Sequence, residues 1–162
     1  MKKTTIIIIL TIILLGTIFF ISYRLWLPTI EDQKAALEKE EILLISKDKE
    51  ITITLEDLID SGEEFEAILD TSTTNASIYT YMGVELKDIF SNMNIDIEDE
   101  NAIILTGVDG YSVAYSIEEV LVDNNVFIAY MENEKFVSYQ SIITSDLFSN
   151  RRCKWLTKIE VR

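Results

Sequence analysis

The stretch "TYMGVELKDIF", residues 80–90, decides the reading of the fold. Its opening continues "ASIYT" (76–80), rich in β-branched and aromatic residues, and reads as a strand. From Val84 onward the period changes. Val84, Leu86, Ile89, Phe90 and Met93 fall on one face of a helix over 84–94, a face suited to pack onto a sheet. Gly83 stands at the junction, where the backbone must turn sharply.

Working outward, the same alternation of strands and short helices recurs. Upstream, 42–46 and 51–55 flank the polar turn "KDKE" as a hairpin, and "LEDLIDSG" gives one or two helical turns ended by Gly62. "FEAILDTS" and "ASIYTYMGV" read as strands joined by the polar "TSTTN". Downstream, "IDIEDEN" is an acidic loop, and "AIILTGV" is apolar enough for a fully buried strand. "DGY" turns the chain, "SVAY" extends it, and "SIEEVL" opens a helix on a capping box of Ser116 and Glu119. "VFIAYME" and "FVSYQSIIT" are strands around "NEK". The fold class is α+β (mixed α/β) over 41–162, a mostly non-parallel mixed sheet with short helices. The five glycines stand singly, which excludes a phosphate loop or a dinucleotide fingerprint.

Ahead of this domain the chain is of another kind. Two lysines precede an apolar run from Ile6 to Ile21, and residues 4–22 are long enough to cross a hydrocarbon core of ~30 Å. Lys2 and Lys3 would stay on the cytoplasmic side, with Tyr23 and Trp26 at the interface. The bulky "FFISYRLWLP" offers no small-residue cleavage site. The expectation is a retained signal anchor over 1–28, a transmembrane helix holding the domain outside the cytoplasm. Secretion after signal cleavage is the alternative. Residues 29–40 read as a helical stalk with Thr29 as its N-cap.

After residue 30 the chain holds all 28 acidic residues against 11 basic ones, a net charge of −17. Such a surface repels nucleic acid, so no nucleic-acid partner is expected. A single cysteine excludes an intrachain disulfide.

Histidine is absent, which removes the commonest general base, the Ser-His and Cys-His nucleophile pairs, and most zinc and haem sites. The acidic run 96–100 lacks the ligand spacing and turning glycine of an EF-hand, and reads as a solvated loop. No metal site is expected. In "RRCKWLTKIEVR" (151–162), period-two alternation puts Cys153, Trp155, Thr157, Ile159 and Val161 on one face of a last strand. Arg152, Lys154, Lys158 and Glu160 fall on the other. Cys153 is therefore expected to be buried and inert.

Three segments in order, "TYMGVELKDIF", "VDGYSVAYSIEEV" and "CKWLTKIEV", resemble the oxidoreductase molybdopterin-binding domain, the catalytic fold of sulfite oxidase-like enzymes. The resemblance covers about 40–162 and implies that fold. Active members of the family hold molybdenum through a cysteine placed before the aromatic-x-Gly-Val segment. The matching region here, "ILDTSTTNASIYTY", has none, and Cys153 lies at the opposite end of the domain. The family's cofactor-holding histidines have no counterpart either. No cofactor is therefore expected, with molybdopterin as the alternative.

The function expected is a membrane-anchored, extracytoplasmic binding module for an unknown protein or small-molecule partner, without catalytic residues. The alternative is a molybdopterin-dependent oxidoreductase, or a subunit of one, with unusual ligands. The candidate surface is Tyr79 and Tyr81, beside the vacant ligand region, with Asp109 and Tyr111. Arg151 and Arg152 form a basic pair for an anionic group.

Overall fold

The computed structural model describes residues 11, 13–21, 41–47, 49–71, 74–147 and 149–162. The chain divides into two compact units, Met1–Ala35 and Ala36–Arg162. In the first, residues 13–21 form a helix (α1) whose large apolar side chains are exposed. No helix among the described residues is long and apolar enough to cross a membrane. The remainder of the expected span and the whole expected stalk, 29–40, lie outside the described residues.

The second unit holds two sheets where the sequence suggested one. Strands β1 (Glu41–Ser46), β2 (Lys49–Thr54), β5 (Ala102–Gly107), β6 (Ser112–Ser116) and β9 (Leu156–Val161) form a five-stranded sheet in the order β2-β1-β9-β5-β6. Strands β3 (Glu63–Thr71), β4 (Thr74–Glu85), β7 (Val126–Glu132) and β8 (Lys135–Ile143) form the other, in the order β3-β4-β7-β8. Pairing is antiparallel except between β1 and β9, so the last strand of the chain sits in the middle of the first sheet.

One apolar core joins the sheets. Ile42, Leu44, Leu105 and Ile159 come from the five-stranded sheet, and Val84, Ile128 and Ile143 from the four-stranded one. Helices close its margins: α2 (Leu55–Ile59) with Leu58, α3 (Leu86–Asn92) with Leu86, Ile89 and Phe90, and α4 (Ile117–Leu121) with Ile117 and Val120. Five-residue helices do not hold in isolation, so caps and packing must define them. Both α2 and α4 start on complete capping boxes, Thr54 with Asp57 and Ser116 with Glu119.

Three local readings need correction. Residues 84 and 85 belong to β4, not to the helix, because Val84 and Glu85 pair with Ile128 and Phe127 of β7. Gly83 accordingly serves a close approach rather than a turn: a Cβ there would lie 2.6 Å from the Ile128 carbonyl oxygen. Strand β5 is not buried on both faces but alternates, with Ile103, Leu105 and Gly107 inward and Ala102, Ile104 and Thr106 half-exposed.

The third correction concerns the C-terminal run. Trp155 takes a left-handed φ of 51° and is 45% exposed, so the alternation expected through 153–161 breaks before β9 begins at Leu156. Leu156 points inward and Trp155 outward, the reverse of the periodic reading. Cys153 is buried, as expected, though not as part of that strand.

A second apolar patch occupies the other face of the four-stranded sheet. Ala67, Tyr81, Ala129 and Ile142 are buried there, with Phe65 and Tyr79 packed against them. Phe65 stacks on Phe127 at 3.9 Å between centroids and on Tyr81 at 5.5 Å. Odd-numbered residues of β4 thus carry aromatic rings to this face, while Met82 and Val84 serve the main core.

Candidate functional site

Next to this aromatic face lies a cavity of about 300 Å³. Its wall on the β3–β4 side is Leu69, Tyr79 and Tyr81, spaced so that all three project from the same face of the sheet. Glu132 and Gln140 extend that wall from β7 and β8. The opposite side comes from two loops: Asp109 and Tyr111 from the β5–β6 turn, and Arg152, Lys154 and Trp155 from the segment leading into β9.

The β5–β6 turn is fixed by its own chemistry. Gly110 has a φ of 82°, which suits glycine, and its N–H donates to the Gly107 carbonyl at 3.0 Å. An Asp109 Oδ1 accepts the Tyr111 N–H at 3.0 Å, so this carboxylate is partly engaged in holding the turn. The Tyr111 ring then reaches outward, and its hydroxyl donates to the Asn150 carbonyl.

Arg152 is the most unusual residue of the site. It is only 6% exposed. Its Nη1 donates to the Tyr81 hydroxyl at 2.9 Å, its Nη2 to the Ile68 carbonyl at 3.0 Å, and its Nε has no partner. The guanidinium also lies 5.7 Å from the Tyr81 ring centroid, within cation–π range. Among the described residues no carboxylate forms an ion pair with it. A buried cation without a counter-charge costs several kcal/mol unless something compensates it. Burial raises the pKa of Tyr81, opposed by the positive charge of Arg152.

Arg151, its neighbour in sequence, faces elsewhere. Its Nη1 and Nη2 hold both oxygens of Glu119, at 2.8 and 3.0 Å, and Nη1 also approaches Asp146 at 3.4 Å. The guanidinium covers the Tyr115 ring at 5.3 Å. The expected basic pair is therefore split: one arginine is spent on a helix carboxylate, and the other is buried rather than on a charged outer face. Tyr79, Tyr81, Asp109, Tyr111 and Arg152 come together at the cavity, and Arg151 does not.

Five lining residues escaped the sequence reading: Leu69, Glu132, Gln140, Lys154 and Trp155. Glu132 stands directly opposite Tyr81 in the β4–β7 pair, a register displaced by the bulge at Met82/Gly83. Only knowledge of that pairing would have found it.

Cys153 adjoins the site without lining it. Its N–H donates to the Ser141 Oγ at 2.9 Å, and its carbonyl accepts the Ser141 N–H at 2.9 Å. The Ser141 hydroxyl also bonds the buried Tyr115 hydroxyl at 2.7 Å, which in turn donates to the Arg151 carbonyl at 2.6 Å. This lattice pins the segment 151–153 to β6 and β8. Burial, with the nearby charge of Asp109, pushes the Cys153 thiol up to about 12.

The donors lining the cavity are therefore oxygen and nitrogen groups of Tyr, Asp, Glu, Gln, Arg and Lys. No thiolate or imidazole reaches it among the described residues, and no group of three His, Cys, Asp or Glu side chains there could hold a metal ion. The cysteine thiolate that the family resemblance implies as the protein ligand of molybdenum is not among the lining groups, and this hard oxygen and nitrogen donor set does not supply a soft substitute. The acidic run 96–100 forms a loop in which Glu100 pairs with Lys47 at 2.7 Å.

The comparisons with known proteins agree with the architecture. No curated relative matches the sequence. Among solved structures, the sulfane dehydrogenase SoxCD from Paracoccus pantotrophus superposes with a TM-score of 0.63 at 13% identity. The match covers 75% of this chain but 37% of that one, so the likeness is one of fold alone. The family described as oxidoreductase molybdopterin binding domain matches residues 21–162. With a sulfite-oxidase-like arrangement of mixed sheets and short helices, and that match over most of its length, the chain belongs to the oxidoreductase molybdopterin-binding domain family.

Proposed function

We propose that this chain is a cofactor-free member of its family and acts as a binding module, anchored through residues 4–22 with its domain outside the cytoplasm. The observation that carries the reading is the donor chemistry of the cavity. It offers two cations, two carboxylates, phenols and an amide, but no soft ligand for molybdenum. The one thiol is engaged elsewhere and held protonated by its surroundings. A buried, uncompensated Arg152 at the wall is instead suited to receive a ligand's negative charge. The apolar run near the N-terminus supports the anchor, and the net charge of −17 beyond residue 30 argues against nucleic acid as the partner.

Membership of the family supports a second reading, a molybdopterin-dependent oxidoreductase or a subunit of one with unusual ligands. One measurement separates the two: elemental analysis for molybdenum and tungsten, with pterin fluorescence, on the full-length chain taken from its native membranes. The binding-module reading expects neither metal nor pterin above background. Metal near one per chain would establish the oxidoreductase reading in its place. Protease treatment of right-side-out vesicles tests the orientation, with digestion of the domain expected.

A further inference from the structure

We infer that the cavity takes a small zwitterion of the α-amino-acid type, its carboxylate on Arg152 and its ammonium group facing Glu132. The inference rests on the reading of a cofactor-free cavity and names the ligand class.

Two unlike charges neighbour Tyr81 and do not pair with each other. Arg152 donates to the Tyr81 hydroxyl, and Glu132 lies directly across from Tyr81 in the β4–β7 pair. Both charges act on that phenol, with opposite effects on its ionisation. Yet Arg152 and Glu132 form no ion pair with each other, and among the described residues neither is paired with any other charge. Glu132 accepts one long hydrogen bond, from the Gln140 Nε2 at 3.3 Å. A guanidinium carries five N–H donors, and the bonds to Tyr81 and Ile68 leave donors over.

Burial without pairing leaves the cost of the Arg152 charge standing, while the half-exposed Glu132 carboxylate across from Tyr81 is left without a cation. A ligand carrying both signs on adjacent atoms offsets the two together. A simple anion would be drawn to Arg152 and Lys154 but repelled by Glu132 and Asp109; a simple cation would meet the reverse. A volume of about 300 Å³ is at the small end of ligand sites, which suits one amino acid rather than a peptide. Tyr111 and Trp155, residues that are 43% and 45% exposed, also line the cavity. Aromatic walls of that kind favour an apolar or aromatic side chain on the ligand.

The test is titration calorimetry on the full-length chain in detergent, with molybdenum measured on the same sample. The probes are free leucine, phenylalanine and tryptophan, their N-acetyl and amide derivatives, and sodium sulfite and phosphate. At least one free amino acid should bind, with both blocked forms weaker by about tenfold or more, the scale of one lost charge-assisted contact. Arg152→Met should abolish binding. Glu132→Gln, on a half-exposed strand end, should weaken the free amino acid and bring the N-acetyl form level with it. A metal-free sample that binds none of the amino acids overturns this inference alone, as does sulfite or phosphate binding as tightly as the free amino acids. Bound molybdenum overturns the cofactor-free reading and this inference with it.

Discussion

The Arg152 Nη1 donates to the Tyr81 hydroxyl at 2.9 Å, joining residues 71 positions apart in sequence. The bond places a charge in the interior without giving it a counter-charge, which is costly unless a ligand supplies one. Arg152→Met keeps most of the stem volume and removes the charge. It leaves no buried carboxylate unpaired, because Arg152 has none. In the absence of ligand the relief of that buried charge is offset by the donors lost to the Tyr81 hydroxyl and the Ile68 carbonyl, so the variant should stay within about 2 kcal/mol of the parent. Chemical denaturation of both full-length proteins measures this. A loss above about 3 kcal/mol would mean that Arg152 is there to hold the fold.

Cys153 should be silent in the folded protein. Only the thiolate reacts readily, and a pKa pushed up to about 12 leaves almost none near neutral pH. Complete burial blocks the reagent as well. An aromatic disulfide reagent at mildly alkaline pH should therefore detect no thiol before denaturant is added and one per chain afterwards. Rapid labelling of the native protein would show that the segment 151–153 opens without global unfolding.

The Arg151–Glu119 pair carries a pH signature. Hydrogen bonding from Arg151, with the Ser116 N–H also donating, holds the Glu119 carboxyl below its ordinary value of 4.5. A depressed folded pKa means a contribution that is complete above about 4.5 and is lost as the pH falls through the folded value. The stability gap between the parent and Arg151→Gln should thus be constant near neutral pH and close as the pH falls below about 4.5. Both side chains are about one-third exposed, so the whole effect should stay within about 1 kcal/mol. A gap that persists unchanged in acid would assign the loss to the guanidinium covering Tyr115 instead.

What could be read from the sequence follows what is local. The capping box of Ser116 and Glu119 is a spacing rule, and it starts α4 as expected. Tyr79 and Tyr81 share a face because strands alternate, and Asp109-Gly110 turns because of what those residues are. The remainder depends on non-local facts. Arg152 reads as a surface cation until the left-handed Trp155 resets the register before β9. Glu132 joins the site only through a cross-strand pairing offset by a bulge. The division into two sheets depends on β9 inserting beside β1, more than 100 residues away in sequence.

Gly83 tests the close strand approach on which that bulge depends. Between Met82 and Gly83 the pairing with β7 shifts, and the two backbones come close enough to leave no room for a side chain. A Cβ at Gly83 would lie 2.6 Å from the Ile128 carbonyl oxygen and 2.9 Å from the Ala129 Cα. Both are backbone atoms of a central strand, so neither can swing aside. Gly83→Ala must push β4 away from β7, shift Tyr81 and disturb the wall that Tyr81 and Glu132 share. The cost should be about 1–3 kcal/mol in a denaturation experiment, in the direction opposite to the usual gain from replacing a strand glycine. A variant as stable as the parent would mean that β4 and β7 do not pair in this register, and the juxtaposition of Tyr81 and Glu132 would fall with it.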